Sequence, residues 1–133
     1  MGLLAWLTRD AHTERDEFED EEIVEFASAR GTLTYRNYRD PRQAAHFQKM
    51  AAVWLVAMTR RRLVIRFGRR TFVDLDWTDP RVANLSVSVD DGGKFLVVYR
   101  AEKLRNDARG TVEIRVKTDD AERLVEAFEA LRV

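Results

Sequence analysis

Three separate segments of the chain carry groups that could hold an anion. Arg36, Arg39, Arg42 and Lys49 fall in the first, Arg69 and Arg70 in the second, and Lys103, Arg105 and Arg109 in the third. An arginine fork donates two parallel hydrogen bonds to a phosphate or carboxylate, so such a set suits oxyanion capture. Chemistry beyond capture has little to work with. The chain has no cysteine and two histidines, which removes thiolate nucleophiles, disulfides and Cys-metal sites. His12 and His46 stand outside any catalytic motif, and the sequence holds no HExxH, no P-loop and no Gly-rich dinucleotide fingerprint. Asp74 and Asp76 share one face of a predicted strand and read as solvated carboxylates rather than cation ligands. No catalysis, cofactor or metal is expected.

The basic groups have a counterpart in the same chain. Net charge is zero, yet residues 1–30 carry nine acids and three bases, while residues 31–133 carry fourteen acids and twenty bases. The acids concentrate in "ERDEFEDEE", Glu14 to Glu22. A run of that kind is ordinarily solvated. Its sharper reading is an arm that docks on the basic surface of its own chain or of a neighbour and shields the arginine-bearing loops. Residues 1–22 are therefore expected to form an acidic appendage, with Met1 to Leu7 an apolar turn, and residues 23–133 one domain.

A chain of 133 residues is long enough to bury a core without a metal or disulfide. It has no apolar run near the ~20 residues of a membrane span. The opening MGLLAWLTRD has no basic start and no small-residue cleavage site, so no signal peptide is expected. Trp6 stands where a myristoylation motif has Ser or Thr. The expected location is cytoplasmic, reaching the inner face of the membrane if the basic loops meet anionic lipid.

The elements that would position these groups follow from periodicity. "EIVEFASARGTLTY" predicts a long, bent first strand with Gly31 permitting a bulge, in competition with a helix over Glu21–Arg30. Tyr38 to Met50 predicts a loop, with a helical turn after Pro41. Val53 to Thr59 is apolar enough for a central strand. Leu63, Ile65 and Phe67 alternate with Arg62 and Arg66, and Gly68-Arg69-Arg70 then suits a hairpin. Arg60-Arg61-Arg62 reads as a solvating turn. Val73, Leu75 and Trp77 alternate with Asp74 and Asp76. Leu85, Val87 and Val89 precede the turn Asp90-Asp91-Gly92-Gly93, and Phe95 to Arg100 follows it. "KFLVVYR" reads as an edge open to another subunit. Val112, Ile114 and Val116 alternate again. The period then changes to 3.6, with Ala121, Leu124, Val125, Phe128 and Leu131 on one helical face. Asp119 and Glu122 have the spacing of a capping box. The tryptophans Trp6, Trp54 and Trp77 read as packing residues.

Seven strands then a helix, with "TRRRLVIRFGRRTFVDLDW" in the middle and "GTVEIRVKTDDAERLVEAFEAL" at the end, resemble the bacterial pleckstrin-homology-like domains and the related GRAM-type domains. Thr59, Arg62 and Leu63 match that family's T-x-x-R-L strand, and Val73, Asp74 and Leu75 its next strand. The resemblance covers about residues 21–133. It implies a mainly β, seven-stranded bent antiparallel barrel capped by a C-terminal amphipathic helix. Phosphoinositide-binding relatives carry a Lys-x-Arg pair on strand two, and Ala52 to Thr59 has no basic residue. The resemblance implies instead a non-catalytic interaction module, self-associating or scaffolding protein partners. The alternative is a peripheral binder of anionic phospholipid or phosphate through Arg36, Arg39, Arg69, Arg70, Lys103 and Arg105. Nucleic acid is not an expected partner, because the chain lacks a basic balance and an aromatic platform.

Overall fold

The computed structural model describes residues 15–132. Met1 to Leu7, Trp6 and His12 lie outside them. Seven antiparallel strands form one curled half-barrel sheet, in the order β4-β3-β2-β1-β7-β6-β5. The strands are β1 (Ile23–Asp40), β2 (Gln43–Thr59), β3 (Arg62–Phe67), β4 (Arg70–Asp76), β5 (Ser86–Val89), β6 (Phe95–Arg100) and β7 (Arg109–Val116). A single helix, α1 (Ala121–Leu131), follows the last strand. The mainly β, seven-stranded, helix-capped architecture is the one the alternation predicts.

The first strand joins the two halves of the sheet. Its N-terminal half pairs with β2 alone, and from Gly31 to Arg39 it pairs with β2 and β7 together. Gly31 makes no bulge. A Cβ there would sit 1.7 Å from the Arg115 carbonyl oxygen, so the glycine is what lets β7 come alongside. The bulge lies further on, between Arg36 and Arg39, where Asn37 has φ of +49°. It resets the side-chain phase, so Tyr35 and Tyr38 both point inward and stack with centroids 4.0 Å apart. On the facing strand Gly110 has φ of +107°, and a Cβ on it would meet the Asn37 carbonyl oxygen at 2.3 Å.

Tyr38 to Met50 is strand, not the expected loop. β1 runs to Asp40, β2 starts at Gln43, and the two pair in register from end to end of that stretch. The Asp40 carboxylate closes the turn by accepting from the amides of Arg42 and Gln43 at 2.8 and 3.0 Å. Pro41 thus serves a tight turn rather than the start of a helix. "KFLVVYR" is not an edge either, because β6 pairs with β5 on one side and β7 on the other.

Inward residues of all seven strands fill one core, which includes Trp54, Leu63, Ile65, Val73, Leu75, Val112 and Ile114. α1 closes it with Ala121, Leu124 and Phe128, packing over β5 beside β1 and β6. Phe128 meets Trp77 edge-on at 5.8 Å. Asp119 does not cap this helix. The N-cap is Asp120, and it is the Thr118 hydroxyl that accepts an amide, from Asp120 at 3.2 Å.

Two substitutions test this packing by denaturant unfolding. Phe128→Ala is expected to cost about 3–5 kcal/mol, because it empties the helix's largest buried anchor. Gly31→Ala is expected to cost about 1–3 kcal/mol, because β1 and β7 must separate to admit the methyl group. Parental stability in either variant would contradict the packing described.

Candidate interaction surfaces

The turn after β1, the start of β4 and the segment before β7 meet at one end of the barrel. They line a cleft of about 420 Å³ with Asp40, Pro41, Arg42, Gln43, Arg70, Thr71, Arg105 and Asp107. Arg70 and Arg105 approach the Asp40 carboxylate to 3.8 and 4.0 Å, both long for ion pairs. Arg70 also lies over the Phe72 ring at 4.5 Å, and Arg105 is held at 2.9 Å by Asp107. Burial acts to raise the Asp40 carboxyl. The Tyr38 hydroxyl at 2.7 Å, the two turn amides and Arg105 outweigh it and hold that carboxyl below the usual range. Tyr38 is pushed well up, first by burial and then by its bond to Asp40. The cleft can offer guanidinium forks to an oxyanion, with two carboxylates already competing for them.

The other predicted anion ligands are elsewhere. Arg36 points to the outer face of β1, bonded to Glu113 and lying over the Phe47 ring at 5.1 Å. Glu113 in turn accepts from Arg115 at 2.9 Å. Arg39 shares a shallow hollow with Asn37, Ala44, His46 and Arg109, whose lining includes no carboxylate. Arg69 and Lys103 are exposed and do not line the cleft. So the structure brings together Arg42, Arg70 and Arg105, and separates Arg36, Arg39, Arg69 and Lys103 from them. Among the described residues no group of three acidic or imidazole side chains is placed to hold a metal ion, and no helix is long and apolar enough to cross a membrane.

A second surface was hidden from sequence reasoning by the misread loop. β3 pairs with β2 only over Trp54–Met58. From Gln43 to Val53, β2 therefore has β1 on one side and, among the described residues, no strand on the other. This open edge carries one charged side chain, Lys49, and displays Phe47, which is 55% exposed. By contrast β4, at one end of the sheet, carries the exposed carboxylates Asp74 and Asp76, and β5, at the other end, is four residues long. Charge and shortness protect an edge from pairing, and β2 has little of either.

The third surface is the outer face of β2 and β3. Leu55, Ala57 and Val64 point outward there and yet are buried, because a strap formed by residues 15–22 crosses them. Of the strap's residues Phe18 alone is buried, and it is wholly so. Burying such a ring contributes ~1.5–3 kcal/mol. The guanidiniums of Arg62 and Arg66 each lie 5.4 Å from its centroid, a distance that suits cation–π attraction. Each also forks onto a strap carboxylate. Arg62 donates to Glu21 at 3.0 and 2.9 Å, and Arg66 to Glu17 at 3.2 and 2.8 Å. Arg62 reaches Asp74 as well, at 3.0 Å. The described part of the acidic arm thus clasps Arg62 and Arg66, not the Arg69–Arg70 hairpin that it was expected to shield. Arg62, read from sequence as part of a solvating turn, is a clasp residue. A lone aromatic residue inside the acidic run was the available signal.

The chain matches no protein-family model, and no curated protein matches it.

The clasp has a pH signature. The fork from Arg62 holds the Glu21 carboxyl below the usual range, and that from Arg66 does the same for Glu17, against the opposing effect of burial. A carboxyl whose pKa is lowered by docking stabilises the docked strap above its free value, and loses that contribution as pH falls through the lowered one. Docking is therefore full at neutral pH and weakens below about pH 4. In an NMR titration, Arg62→Ala should move the Glu21 midpoint upward toward an ordinary glutamate. An unmoved midpoint would contradict the clasp.

Proposed function

We propose that this chain is a non-catalytic interaction module that pairs with a second copy of itself through the open edge of β2. The observation that carries the reading is the stretch Gln43–Val53, extended and hydrogen-bonded to β1, with its other side unpaired among the described residues. Backbone donors and acceptors along such an edge find partners in a second strand, and two copies of one edge meet antiparallel about a two-fold axis. Phe47 adds exposed apolar area at that edge. The resemblance to bacterial pleckstrin-homology-like domains, members of which often assemble, supports the same reading.

A second reading rests on the basic cleft. Arg42, Arg70 and Arg105 face two carboxylates there, and Arg70 is not tightly paired. A phosphate group, free or on a phospholipid, is the ligand chemistry this fits. Sedimentation with anionic vesicles at low salt and fluorescence-free titration with inorganic phosphate separate the two sources. Arg70→Glu should abolish either interaction, and a parent that ignores both ligands would contradict the reading.

Self-association is tested by sedimentation. The parent should show a mass that rises toward dimer across the micromolar range. Phe47→Glu should raise the dimer Kd about tenfold or more, which is ~1.4 kcal/mol. A parent that stays at monomer mass throughout would contradict the proposal.

A further inference from the structure

The strap and its groove form a matched pair that is joined to the domain at a single strained residue. The groove reads a short pattern: an acid, a phenylalanine next to it, and a second acid three residues beyond. Glu17 is held by Arg66, Phe18 by Leu55, Ala57 and Val64, and Glu21 by Arg62. The remaining acids of the strap, Asp16, Glu19, Asp20 and Glu22, are exposed. The strap turns back onto the sheet at Glu22, which has φ of +57° and ψ of +88°. A residue with a Cβ is disfavoured in that left-handed conformation. If Glu22 relaxed to an extended conformation, β1 would continue past Ile23 and the strap would leave its groove.

We propose that the groove of one chain also takes the strap of a second chain, so that the acidic segment is an exchangeable docking peptide. The occupant is a second copy because the complementary segment is already seated here and belongs to every copy. Hydrophobic contact, cation–π contact and both forked pairs are preserved when the strap is exchanged, since each is made between the strap and the sheet and none within the strap. The hinge strain at Glu22 is lost on exchange, while the closed form keeps the advantage of tethering. Exchange therefore rises with protein concentration. This surface is separate from the β2 edge and goes beyond the reading built on it.

Two full-length variants make the test, both in a Phe47→Glu background so that edge pairing is weakened. Phe18→Ala removes the strap's anchor and leaves the groove. Arg62→Glu with Arg66→Glu removes the groove's clasp and leaves the strap. Native mass spectrometry should show monomers for each alone and heterodimers in an equal mixture, because only the mixture joins an intact strap to an intact groove. A mixture that stays monomeric over the concentrations at which its parent associates would overturn the proposal. If a variant proves unfolded by circular dichroism, a peptide of residues 15–22 titrated into the Phe47→Glu chain, where it competes with the tethered strap for the groove, decides instead. It should bind, and the same peptide carrying Phe18→Ala should bind about tenfold more weakly or worse. Equal behaviour of the two peptides would overturn the proposal. Loss of edge pairing in otherwise parental Phe47→Glu, with exchange intact, separates this inference from the function proposed above.

Discussion

The half-barrel depends on one close approach. β1 must serve both halves of the sheet, and at Gly31 it comes so near β7 that the Arg115 carbonyl fills the space where any side chain would begin. Past that point β1 is flanked on both sides, with Gly31 opposite Val116 on β7 and Ala52 on β2. The bend this permits brings β6 and β5 over the core, and it gives α1 its place across them. A glycine in a strand interior weakens the strand taken alone. Here that cost is offset by the burial of Leu33, Tyr35, Val112, Ile114 and Val116, which depends on the two strands lying side by side.

The same arrangement explains why surfaces are left over. β1 and β2 are 18 and 17 residues long, whereas β3 and β4 are six and seven. A long hairpin therefore runs past its short neighbours. Toward its turn it leaves the β2 edge without a neighbouring strand among the described residues. At the opposite end its outward side chains, Leu55 and Ala57, are apolar and need cover, which the strap provides through Phe18. The basic cleft arises where the hairpin turn arches toward Arg70 and Arg105. Three candidate surfaces thus follow from one mismatch in strand length.

Much of this was legible where one face of an element is buried and the other wet. Val73 and Leu75 against Asp74 alternate as a half-buried strand must. Val112 and Ile114 point inward as expected, although Glu113 between them, expected to face water, is buried under Arg36 and Arg115. The helix announced itself through Leu124 and Phe128 in the same way. Tyr38 to Met50 was misread because neither face of Ala44 to Lys49 is deeply buried, so no alternation marks it. The bulge at Asn37 also broke the phase between Tyr35 and Tyr38. The clasp was missed for a different reason. Periodicity says that Arg62, Val64 and Arg66 point outward, which they do, but not that another segment returns to cover them. The arginines of the three basic segments were grouped by position in the chain, and the pleat then sent Arg36 to the outer face and Arg70 to the cleft.

Amide hydrogen exchange as a function of protein concentration reports on pairing of the β2 edge between copies. If the edge pairs, the amides of residues 43–53 which point away from β1 should exchange quickly in dilute solution. They should become protected as concentration rises through the micromolar range, while the core amides of β1 and β7 stay unchanged. Exchange in residues 43–53 that is the same at every concentration would contradict it.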